Sequence, residues 1–159
     1  MLSFCGIDRA LIDANGRIRF TPRVIKDFTE NGGNEIVLHC LSEGALAVYP
    51  ENIFLQMRNK ESNPAEKASA SIVFRRTIRR FGALSRSEKI TTQGRITLPP
   101  PYRDFADLHP GDEAVVVGCE IGIEIWSHER WEKELDRMNG HFIEKGEREM
   151  SADLSESEG

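Results

Sequence analysis

The chain lacks any apolar run long enough to cross a bilayer. Among its 159 residues the longest such stretch is Ala114 to Cys119, far short of the roughly 18 residues a membrane helix requires. Met1 to Asp8 carry neither a basic n-region nor a long apolar core, so no secretory signal is expected and a cytoplasmic protein is. Only Cys5, Cys40 and Cys119 are cysteines, and no C-x-x-C pair exists. That excludes the usual zinc and disulfide frameworks and predicts three buried, inert thiols. His39-Cys40 is the nearest approach to half a metal site, and the spacing of His109, His128 and His141 does not complete it. Neither metal nor other cofactor is expected. Also missing are G-x-x-x-x-G-K-[ST], G-x-G-x-x-G, H-E-x-x-H and G-x-S-x-G, so an enzyme, or any other protein with a small-molecule substrate, is not expected.

What is present is charge, unevenly spread. The formal net charge is -5, yet positions 129–159 hold ten acids against five bases and account for all of it. The remainder is neutral overall and contains a basic block. Arg75, Arg76, Arg79, Arg80, Arg86, Lys89 and Arg95 stand there with Glu88 as the only acid from Ile72 to Arg95. A basic face on an acidic protein is still an electrostatic footprint for a polyanion.

The chain is organised around Asp13-Ala14-Asn15-Gly16-Arg17-Ile18-Arg19-Phe20-Thr21-Pro22, which returns as Thr91-Thr92-Gln93-Gly94-Arg95-Ile96-Thr97-Leu98-Pro99-Pro100. Asn-Gly between apolar runs predicts a tight two-residue hairpin turn, because both positions tolerate left-handed backbone. A short period-two strand follows each corner and ends at proline. Arg17 and Arg95 then sit just past the tips. Asp13 and Arg17 face each other across the first turn, either as an exposed ion pair alone or with the carboxylate holding the guanidinium in one rotamer. In the second case Arg17, helped by Arg19 and Arg23, forms a forked donor for phosphate oxygens or the O6/N7 edge of guanine.

Sliding the sequence by 78 positions superposes some forty residues without a gap, including Ile12 on Ile90, Gly33 on Gly111, Val37 on Val115 and Gly44 on Gly122. Two copies of one small module are expected, each in the order β-β-α-β-β-α. Thr21 caps the first helix with Pro22 at its first position. Between the copies, Asn59 to Pro64 reads as a linker. From Asn63 and Pro64 to about Phe81 one helix is expected, with Ala70, Val73, Phe74, Thr77, Ile78 and Phe81 as its apolar stripe. Its arginines, Arg75, Arg76, Arg79 and Arg80, fall on the opposite side, where a solvated face, direct phosphate contact or a subunit seam each fit. The expected division is 1–62, a first repeat; 63–83, an amphipathic inter-repeat helix; 84–140, a second repeat; and 141–159, an acidic, disordered tail.

These residues resemble the MraZ family of bacterial transcriptional regulators, whose hallmark is two D-x-x-x-R motifs, one in each of two AbrB-like modules. Asp13-Ala14-Asn15-Gly16-Arg17 is the first motif intact. Gly94-Arg95-Ile96-Thr97-Leu98-Pro99-Pro100 is similar to the family's G-R-I-x-I-P-P, and Glu124 to Trp131 to its E-I-W-x-x-E-x-W. The second motif opens with Thr91 in place of Asp, so Arg95 keeps only the basic half of the motif. The resemblance implies an α+β, β-rich fold of internally duplicated AbrB/MraZ-like swapped-hairpin β-barrel modules with short helices.

It implies equally a sequence-specific DNA-binding transcriptional regulator of the division and cell-wall gene cluster, its own promoter included. Such a protein acts as a ring-shaped homo-oligomer on short G-containing direct repeats of double-stranded DNA, in the cytoplasm at the nucleoid and not at a membrane. The DNA-contacting residues expected here are Arg17, Arg95, Arg19, Arg23, Arg86 and Lys89, with Asp13, Asn15, Gly16, Thr91 and Gly94 shaping the loops. The alternative is a non-DNA oligomeric scaffold or protein-interaction module using the arginine face or the acidic tail.

Overall fold

The structure is a computed structural model that describes residues 2–58 and 61–158, the side chains of 156–158 excepted. Residues 1, 59, 60 and 159 lie outside it, and with them the first two positions of the expected linker and the last of the expected tail. The protein is mixed α and β with a sheet-rich core. The chain divides after Ser127 into two compact units.

In the first unit β1 (Ile7–Leu11), β2 (Arg17–Arg19), α1 (Pro22–Glu30), β3 (Glu35–Cys40), β4 (Leu46–Pro50) and α2 (Glu51–Arg58) are followed by α3 (Pro64–Ala70) and α4 (Ile72–Ala83). Then come β5 (Ser85–Lys89), β6 (Arg95–Thr97), α5 (Pro100–Ala106), β7 (Glu113–Gly118) and β8 (Ile123–Trp126). α1 starts where its residues require: Thr21 Oγ1 accepts from the Val24 N–H at 3.4 Å and Pro22 supplies a preset φ. It buries Val24 and Phe28.

Six strands form one antiparallel sheet in the order β1-β7-β8-β4-β3-β5, and β2 and β6 form a separate two-stranded ribbon. The pairing is non-local in a regular way. β1 pairs with β7, Ile7 opposite Val117 through Leu11 opposite Glu113. β5 pairs with β3, Ser85 opposite His39 through Lys89 opposite Glu35. Shifting either ladder by 78 residues reproduces the other's register. The Ile12 N–H donates to Asp112 O and the Ile90 N–H to Asn34 O, each at 2.9 Å, under the same shift.

The core lies between the large sheet and the ribbon. Ile12, Ile18, Phe20, Ile90, Ile96 and Leu98 meet Ile36, Leu38, Val48, Val116, Ile123 and Ile125, all buried. A two-stranded ribbon is marginal alone. Burying Ile18 and Ile96, at 0% and 1% exposure, contributes roughly 2 kcal/mol each to holding it.

Four expectations change. The loops are not two-residue turns: the Gly16 N–H bonds Asp13 O and the Asp13 N–H bonds Arg17 O, while only Gly16, not Asn15, takes positive φ (+75°). This is a three-residue loop with a left-handed glycine, and Gly94 (φ +77°) closes the Thr91 loop identically. The inter-repeat helix is broken at Ser71. That residue is extended, and its hydroxyl accepts from the Phe74 N–H at 3.1 Å, so a strong N-cap overrides the apolar stripe. Val73 stays exposed and Phe74, Ile78 and Phe81 are half-buried. Nor do all four arginines face solvent, since Arg75 donates to Ala68 O and Arg80 to Cys40 O, each at 2.8 Å. Among the thiols Cys40 is buried and Cys119 half-buried, but Cys5 is exposed.

The second unit is α6 (His128–Glu158). Its helical backbone runs through the segment whose acidity predicts disorder. Spaced pairs support it, with Lys133 Nζ 3.2 Å from Glu129 and Arg148 Nη2 4.0 Å from Glu144. No helix of the described residues is long and apolar enough to cross a membrane.

Candidate functional site

The ribbon brings the two motif loops into one place. Arg17 pairs with Thr97, Ile18 with Ile96 and Arg19 with Arg95. Directly opposed residues of an antiparallel pair share a face, and alternation turns Ile18 and Ile96 inward. Arg17, Arg19, Arg95 and Thr97 therefore line the outer face, with Arg19 and Thr97 exposed and Arg17 and Arg95 half-exposed. Reciprocal bonds lock the ends: the Leu98 N–H donates to Gly16 O at 2.9 Å, and the Phe20 N–H donates to Gly94 O at 2.8 Å.

Asp13 organises the first loop. One carboxylate oxygen accepts the backbone N–H groups of Asn15 and Arg17, both at 2.9 Å, and the other accepts Arg17 Nε at 2.9 Å. The Arg17 N–H above all holds this carboxyl below its ordinary 3.8; desolvation opposes it, and the guanidinium and the Asn15 N–H add to the lowering. In the second loop Thr91 Oγ1 accepts the Arg95 N–H at 3.1 Å, and the Arg95 guanidinium turns instead to Gln93 Oε1 at 2.9 Å. Thr91 thus replaces the backbone acceptor but not the ion pair. Arg95 is held by a neutral amide, and among the described residues no carboxylate pairs with it.

The other expected residues lie elsewhere. Arg23, on α1, bonds Asp8 at 2.7 Å, and this carboxylate raises its pKa. Arg86 and Lys89 are on β5 at the edge of the large sheet. Arg86 Nε is 2.8 Å from Glu88 and Lys89 Nζ 3.9 Å from Glu35. These three cations each have an acidic partner, and none is on the ribbon.

Two residues beside the ribbon escaped the sequence reading. Arg103, on α5, donates Nε to Leu98 O at 2.8 Å and lies over Gly16, where an added Cβ would come within 2.8 Å of it. Its counterpart 78 residues earlier is Ile25, which covers Gly94 in the same way. That mismatch was the signal that singles out Arg103. Lys26 shares with Arg19, Phe20, Thr29, Thr92 and Gln93 an open groove of about 540 Å3 alongside the ribbon. The residues 78 beyond Lys26 and Thr29 are Asp104 and Asp107, so the two flanks differ in charge.

Comparison with known proteins bears on what this arrangement belongs to. The transcriptional regulator MraZ of Thermus thermophilus is 33% identical over 128 residues, 80% of this chain and 83% of that protein. The chain belongs to the MraZ family. MraZ regulators of Desulforamulus reducens and Moorella thermoacetica are 32% and 31% identical, the latter over 95% of this chain and 99% of its own length. The family model described as "MraZ protein, putative antitoxin-like" matches residues 87–153, a stretch that contains the Thr91 loop, β6 and the two strands β7 and β8.

Proposed function

We propose that this MraZ family member is a sequence-specific DNA-binding transcriptional regulator that reads DNA with the outer face of the β2–β6 ribbon. The observation that carries the proposal is the pairing that sets Arg17, Arg19 and Arg95 on one face. The major groove admits a two-stranded ribbon, and a guanidinium matches the two acceptors of guanine or a phosphate. The relatives' name, transcriptional regulator, supports the same reading.

In this proposal the crossed ladders β1–β7 and β5–β3 are the swapped hairpins of two AbrB-like β-barrel modules, and ring-shaped homo-oligomers present several ribbons at once. Tethering many weak contacts raises overall affinity for short G-containing direct repeats through effective concentration. The sites belong to the promoter of the protein's own division and cell-wall gene cluster, which places the protein in the cytoplasm at the nucleoid. Asp13, Asn15, Gly16, Thr91 and Gly94 shape the loops, while Arg23, Arg86 and Lys89 add to the positive field without touching bases.

Fluorescence anisotropy on the promoter fragment tests the proposal. Arg17→Ala is expected to weaken specific binding by about tenfold or more, the worth of one bidentate contact, and to flatten the salt dependence by about one counterion. Unchanged affinity and unchanged salt slope would remove the ribbon as the contact surface.

A further inference from the structure

A cavity of about 300 Å3 stands apart from the ribbon, where α2 and α4 cover β3 and β4. Its wall is aromatic. His39 stacks on Phe81 with ring centres 5.1 Å apart and planes 7° from parallel, and Phe54 lies 5.9 Å from His39 and 6.4 Å from Tyr49. Met57, Leu41, Ser42, Glu43 and Arg80 complete the lining. This size and aromatic wall with a few polar groups, Arg80 and Glu43 among them, suit a small ligand.

The wall has no counterpart in the other half. Positions 78 beyond His39, Tyr49 and Phe54 are Val117, Ser127 and Glu132. The aromatic lining is therefore not a by-product of the repeated architecture.

Charge states what the cavity takes. Arg80 Nη2 is spent on Cys40 O, and Nη1 is buried with no hydrogen-bond partner. Arg58 lies 3.8 Å from the centre of the Phe81 ring. Among the described residues no carboxylate comes within 4.0 Å of either guanidinium. Glu43, the acid of the lining, accepts from the Ser42 hydroxyl at 2.8 Å. A guanidinium with a buried, unmet donor and no carboxylate within 4.0 Å favours an anion. Burial first, and then Arg80, lowers the His39 pKa from its ordinary 6.5.

We propose that this cavity binds a small organic anion, its carboxylate or phosphate taken by Arg80 and its apolar body by Phe54, Phe81, Tyr49 and Met57. Because α4 runs almost directly into β5 and then the Thr91 loop, such a ligand fastens α4 to β3 and β4 upstream of that loop. The site itself does not depend on how the ribbon is used.

Phenyl phosphate and benzoate serve as probes, with inorganic phosphate and benzyl alcohol as controls, read by the Met57 methyl resonance in the full chain. Saturable shifts at millimolar concentration with either anion, and none with either control, are expected; the stronger of the two identifies the head group. Arg80→Gln weakens the effect by about tenfold or more, the worth of a charged hydrogen bond, whereas Arg79→Gln on the exposed side of α4 leaves it unchanged. The proposal is overturned if neither anion moves Met57, if benzyl alcohol moves it equally, or if a folded Arg80→Gln titrates as the wild type does. The control comparison decides the matter in the wild type even where Arg80→Gln fails to fold.

Discussion

Arg19 stands directly opposite Arg95 across the outer face of the ribbon. Like charges in that relation destabilise a strand pair by roughly 0.2–1 kcal/mol, and Thr97 occupies the position 78 residues beyond Arg19. Arg19→Thr is therefore expected to raise the denaturant midpoint slightly at low salt, with the gain fading as salt screens the repulsion. The same substitution should weaken DNA binding in anisotropy. A variant that lost both stability and affinity would mean that Arg19 packs rather than repels.

Acid should loosen one loop and not the other. The Asp13 carboxyl is held below its ordinary 3.8 chiefly by the Arg17 N–H. A depressed native value means stability that is present above the ordinary value and lost as pH falls through the lowered one. Thr91 does not titrate. Hydrogen exchange at the Asn15 and Arg17 amides is expected to lose protection on acidification before Arg95 does, and Asp13→Asn should remove that difference. Parallel loss in both loops would assign the acid sensitivity elsewhere.

The loop glycines meet different neighbours. An added Cβ at Gly94 collides with Ile25 Cδ1, and at Gly16 it comes within 2.8 Å of Arg103 Nε. Both also force an L-residue to positive φ, at a cost of about 1 kcal/mol or more. Gly94→Ala is expected to couple to Ile25→Ala, and Gly16→Ala to Arg103→Ala, with interaction energies of roughly 0.5–3 kcal/mol in double-mutant cycles. Cross pairs should be additive. Denaturant melts of the single and paired variants check this.

Local chemistry was the legible part of this protein. Thr21-Pro22 announced α1, and Gly94-Arg95-Ile96 announced a loop and a strand, because caps, turns and alternation are written in neighbouring residues. Strand partners were not, since nothing near Ile7 says that Val117 lies opposite, or that β2 leaves β1 for β6. That pairing is what sets Arg95 beside Arg19. Ser71 misled because its cap strength competes with a stripe of the correct period. Arg75 and Arg80 misled because charge predicts exposure, whereas their long stems reach backbone carbonyls while half-buried. Ribbon residues were found in sequence, and their common face only in the fold.

The two loops are unequal in one atom group, and that inequality predicts unequal roles on DNA. Asp13 fixes the Arg17 guanidinium through Nε, whereas Arg95 rests on Gln93. A guanidinium held in one rotamer loses little freedom on meeting a base edge and suits discrimination, while an unneutralised one contributes mainly phosphate attraction. Arg17→Ala is thus expected to lower the ratio of specific to random DNA affinity more than Arg95→Ala does, and Arg95→Ala to weaken both DNAs alike. Thr91→Asp provides the converse. Its carboxylate replaces the hydroxyl as acceptor of the Arg95 N–H and gives Nε an ion pair, so the specificity ratio should rise while random-DNA affinity and the salt slope fall, the slope by about one counterion. Equal losses from the two alanine variants, together with an unchanged ratio in Thr91→Asp, would make the loops interchangeable and leave the missing carboxylate without consequence for recognition.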